Sequence, residues 1–98
     1  MNSDLSMKIN ILDDYISKWR NVREGDAVNQ LFSETVHFLK NCIQDSFATQ
    51  KIEGCVEEVG PVYATGNYMS PPIIQVKEGR LEVVCGILQN IKDSIARK

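Results

Sequence analysis

Residues 73–91, IIQVKEGRLEVVCGILQNI, admit two readings, and the choice between them decides the fold. With a helical period, Leu81, Val84, Leu88, Ile91 and, just beyond, Ile95 recur at steps of three, four, three and four. That spacing keeps them on one stripe and predicts a helix over about 80–96. With a strand period, IIQVK and RLEVV are the arms of a β-hairpin around Glu78 and Gly79, because both arms are rich in β-branched residues. The helical reading is adopted because its stripe runs on well beyond the second arm, and the hairpin stands as the competing one.

Working backward, PVYATGNYMSPP (residues 61–72) reads as a loop, since its prolines and glycine supply the fixed and permissive φ values that loops use. A short helix over about 50–59 fits before it, with Ile52, Cys55, Val56 and Val59 on its apolar side and Glu53 and Glu57 four residues apart on another. Before that, Val28, Leu31, Phe32, Val36, Leu39, Cys42 and Ile43 trace a broad apolar face, and Asp26 is a suitable N-cap, predicting a helix over about 27–47. Leu5, Ile9, Leu12, Ile16 and Trp19 predict the first helix, about 4–21, capped by Ser3 or Asp4, with Tyr15 at the edge of its stripe. The short link at 22–26 suggests that the first two helices form an antiparallel hairpin.

Four amphipathic helices, each with one apolar stripe, are most economically buried as an antiparallel bundle. The expected fold is therefore all-α: a small antiparallel four-helix bundle with a short third helix and a Pro/Gly-rich loop before the last. Residues 1–98 are expected to form one domain, because a second core would leave each half too small to offset its own ordering entropy. Trp19, Phe32, Leu39, Leu81 and Leu88 are the expected core.

A hydrophobic fraction of 43% and a charged fraction of 24% are those of a globular chain. Net charge is −2, but residues 25–60 carry two Lys/Arg against six Asp/Glu, while residues 61–98 carry five against three. An acidic middle suits a basic partner and does not suggest nucleic acid, which calls for a basic stripe. A solvated helical face is the simpler account of the same charges. The N-terminus MNSDLSMKIN lacks the apolar core of a signal peptide, and no segment approaches a membrane span, so a cytoplasmic protein is expected. Cys42, Cys55 and Cys85 are odd in number and contain no CxxC pair, which favours reduced thiols over a disulfide or metal site.

Catalytic chemistry finds little support. His37, the only histidine, is expected on the solvent side of its helix and Cys42 on the buried side, which separates a potential base from a potential nucleophile. Asp13 with Asp14, and Glu57 with Glu58, are sequence neighbours that a helix would splay about 100° apart. Neither GxxxxGK[ST] nor GxGxxG occurs. The expectation is a protein with no catalytic residues, metal or cofactor. Tyr63, Tyr68, Met69, Pro71 and Pro72, beside the acidic segment, suit either an interface anchor or a lid over the bundle.

The succession ILDDYIS, LFSETVHFLK, IEGCVEEV and EGRLEVVCGILQNI, including the Phe32-Ser33-Glu34 step and the Gly79 to Leu88 stretch, resembles the bacterial colicin D immunity-type family of self-protection proteins over roughly residues 9–92. That resemblance implies an antiparallel four-helix protein that binds a cognate ribonuclease toxin and blocks its tRNA site with acidic side chains. It makes Glu53, Glu57 and Glu58 the toxin-facing candidates, with Tyr63 and Tyr68 as apolar anchors beside them. One departure is the loop before the last helix, usually acidic in similar proteins and NYMSPPIIQ here. The alternative is a helical adaptor or regulatory protein that associates with copies of itself, so a homodimer stays open.

Overall fold

The computed structural model describes residues 3–23, 26–59 and 73–97. Most of these residues are helical. Helix α1 spans Ser3–Arg20, α2 Asn29–Phe38, a π-helical turn Leu39–Ile43, α3 Ser46–Glu53 and α4 Leu81–Ala96; strands β1 (Val56–Glu58) and β2 (Ile74–Val76) form a two-stranded ribbon.

The longest apolar stripes give the longest helices. In α1, Leu12 and Trp19 are fully buried and Ile16 nearly so, while Asp4 in the first turn and Lys18 and Arg20 in the last complement the helix dipole. In α4, Val84, Cys85, Leu88, Ile91 and Ile95 are buried. These two helices form the principal packing pair and run antiparallel: Leu5 lies beside Ile91 and Ile95, Asp13 pairs with Lys92 at 2.6 Å, and Arg20 lies beside Leu81 and Cys85. The expected α1–α2 hairpin is a minor contact by comparison. Two links carry it: the Tyr15 and Phe38 rings meet edge to face at 5.7 Å, and the buried Trp19 Nε1–H donates to Thr35 Oγ1 at 3.0 Å. Thr35 in turn donates to Leu31 O at 2.7 Å, so the pair is satisfied inside the core. Of the expected core, Trp19, Leu39 and Leu88 are fully buried, whereas Phe32 and Leu81 are half-buried at its margin.

The second expected helix, 27–47, is shorter and broken. Asp26 does not cap it; its Oδ2 accepts from Arg23 N–H at 2.9 Å and closes the preceding turn, and the helix starts at Asn29. After Phe38 the backbone widens into the π turn, whose end is closed by bonds from Gln44 and Asp45 N–H to Leu39 O, with Gln44 left-handed at φ 61°. Asp45 then caps α3, its Oδ1 accepting from Ala48 N–H at 2.9 Å.

The expected helix over 50–59 is likewise corrected: α3 ends at Glu53, and residues 56–58 are extended. β1 pairs antiparallel with β2, Val56 opposite Val76, Glu57 opposite Gln75 and Glu58 opposite Ile74. The hairpin reading of residues 73–84 is half realised, since Ile74–Val76 is a strand, but its partner lies upstream and RLEVV opens α4. Gly79 makes the turn between them at φ 75°, a conformation that costs glycine little. The far side of β2 is sewn to the start of α2: Val28 N–H donates to Ile74 O at 2.9 Å, and Ile74 N–H to Asn29 Oδ1 at 2.6 Å.

Candidate protein-interaction surface

Glu53 closes α3, and the turn through Gly54 and Cys55 leads directly into β1, so all three carboxylates proposed from sequence lie within one short connection and all are exposed. Because side chains alternate along a strand, Glu57 lies on one face of the ribbon with Gln75, and Glu58 on the other with Val56 and Ile74. The face of Ile74 and Val76 packs on the core, which makes the Glu57 face the outer one. The two described ion pairs, Lys18–Asp14 at 3.0 Å and Lys92–Asp13 at 2.6 Å, leave these three glutamates unpaired among the described residues. The nearest lysine on α3, Lys51, has its Nζ 4.5 Å from the centre of the Phe47 ring. Tyr63 and Tyr68, the expected anchors, lie outside the described residues, as does the whole 61–72 segment.

A second surface feature was not legible in the sequence. A groove of about 680 Å³ runs between α1 and the α2–π turn segment, lined by Asp14, Tyr15, Lys18, Glu34, His37 and Cys42 among others. Burial, and then the charge of Glu34, push the Tyr15 hydroxyl above its usual range. Here the expectation for Cys42 is overturned: it is exposed, not buried, and faces the same groove as His37. The π turn is the cause. Its i→i+5 pattern advances each side chain by less than an α-helical step, so residue 42 falls out of phase with the buried Leu39. His37 is exposed as expected, with Nδ1 3.2 Å from Asn41 Nδ2. Among the described residues no hydrogen bond joins His37 to Cys42, so the groove holds no assembled base and nucleophile.

Cys55 and Cys85 are buried free thiols, and burial raises the pKa of each; Cys55 also donates to Lys51 O at 3.2 Å, which favours the protonated form. Among the described residues no three His, Cys, Asp or Glu side chains converge as metal ligands, and every buried side-chain nitrogen and oxygen has a partner. No described helix is long and apolar enough to cross a membrane. No protein-family model matches the chain, and neither the comparison with curated proteins nor that with solved structures returned a match.

Proposed function

We propose that this chain is a binding protein of the immunity type, which neutralises a cognate toxin, a nuclease in the case the resemblance implies, by covering its basic active site. The observation that supports this reading is the uncompensated acidic connection between α3 and β1. Glu53, Glu57 and Glu58 stand exposed with no ion pair among the described residues, which leaves their charge available to a site built to hold a polyanion. In this reading the helices act as a small antiparallel bundle, a rigid support for the acidic edge, and Tyr63 and Tyr68 anchor the complex beside it. The chain performs no catalysis of its own.

The test is capture from native cytosol by the immobilised full chain and by its Glu53→Lys, Glu57→Lys, Glu58→Lys variant. A basic protein retained by the first and lost by the second, whose nuclease activity the wild-type chain suppresses, is the expected result. Equal capture by both variants overturns the acidic surface as the binding face. A self-associating adaptor is the second reading, favoured by the exposed Phe47 and Met7 side chains. It predicts a sedimentation coefficient that rises with protein concentration in the absence of any partner.

A further inference from the structure

The ladder between β1 and β2 fixes which backbone groups of β1 are used. Val59 N–H donates to Ile73 O at 2.6 Å and Lys77 N–H to Cys55 O at 2.8 Å, so residues 55, 57 and 59 turn their backbone groups toward β2. Val56 and Glu58, in the alternate positions, turn theirs away. The opposite edge of the ribbon is occupied at Ile74, which is bonded through both its N–H and C=O to Asn29 and Val28. Among the described residues no group pairs with the outward N–H and C=O of Val56 and Glu58. Among the described residues the ribbon is thus bonded to α2 along one edge, at Ile74, and open along the other, and the open edge carries the glutamates.

We propose that the outer edge of β1 docks an extended, basic segment of a protein partner, which joins the ribbon as a third strand. This deepens the reading of the acidic connection as a binding face and rests on it. Backbone bonds to Val56 and Glu58 supply register, and the side chains choose the occupant. A second copy of β1 is disfavoured, because antiparallel self-pairing sets glutamates beside glutamates, and like charges across a ladder repel. A lysine- or arginine-bearing strand reverses the sign: its cations meet Glu57 on the outer face and Glu58 on the inner one. Val59 and Ile73, both exposed where the ribbon ends, offer apolar contact to the same segment. The short, charged character of β1, which protects an edge against indiscriminate pairing, here acts as a filter for basic strands.

The probe is a synthetic peptide of consecutive lysines, which presents cations on both faces of a strand, compared with its counterpart N-methylated at every amide, which keeps the charge but donates no backbone hydrogen bond. Titrated into the ¹⁵N-labelled full chain, the first should shift the Val56 and Glu58 amide signals and slow their hydrogen exchange. The methylated peptide should bind about ten-fold more weakly or worse, the loss expected for a pair of backbone bonds. Glu57→Lys with Glu58→Lys should abolish binding of the parent peptide. Equal binding of both peptides overturns strand addition while leaving the acidic face intact as a binding surface. No binding by either, or protection of the same amides by protein concentration alone, overturns the proposal outright.

Discussion

Trp19 and Thr35 meet inside the core through a single hydrogen bond, and the Thr35 hydroxyl in turn donates to Leu31 O. Thr35→Val keeps the shape but leaves a buried indole N–H without an acceptor, which should cost about 1–3 kcal/mol in urea melts. A loss within error of zero would place water at that site. The two buried thiols give a pH signature. Burial raises Cys55 and Cys85 above the ordinary value of 9.0, so as pH rises the unfolded chain releases these protons first. Their contribution is therefore intact below about pH 9 and is lost as pH climbs through the raised values, so the melting temperature should fall as pH rises above about 9. Tyr15, raised from 10.0, acts in the same direction higher up. Replacing both cysteines by alanine should flatten the first part of that decline; an unchanged slope would assign it to other groups.

At the scale of elements, Asp45 separates the π turn from α3, and Asp45→Ala should cost about 0.5–2 kcal/mol, read from thermal or urea unfolding. Helices α1 and α4 were legible almost to the residue, because their stripes are long, unbroken and strictly periodic. The break in the second helix was not, since Leu39, Cys42 and Ile43 fit an α-helical face as well as they fit the start of a wider turn; only the backbone bonds to Leu39 O distinguish the two. The ribbon was hidden for another reason. Its strands are three residues each, too short to show a period of two, and Val56–Glu58 finds its partner across the long 61–72 segment. The same two causes limit the site. Glu53, Glu57 and Glu58 are exposed as their charge suggests, yet strand alternation sends Glu57 and Glu58 to opposite faces, and the π turn brings Cys42 into a groove with His37.

At the scale of the molecule, the α1–α4 pair is the principal packing and the ribbon with its acidic edge is bonded to the start of α2, so core and edge should fail separately. Leu88→Ala, at a fully buried position on α4, should destabilise the fold by about 2–5 kcal/mol in urea melts. Charge reversal at Glu57 and Glu58 should leave the melt nearly unchanged and act on binding alone. Charge complementarity chiefly accelerates encounter, whereas a buried aromatic chiefly slows dissociation, so Tyr68→Ala should raise the dissociation rate instead. The most direct measurement is surface plasmon resonance of the captured partner on wild-type chain and on the Glu57→Lys, Glu58→Lys variant, at about 0.01 M and about 0.15 M salt, where the Debye length falls from ~30 Å to ~8 Å. A partner steered by this edge should associate more slowly with the variant, most of all at the lower salt, with the gap narrowing at the higher. Association rates that match at both salt concentrations would contradict the claim that the acidic edge is the binding face.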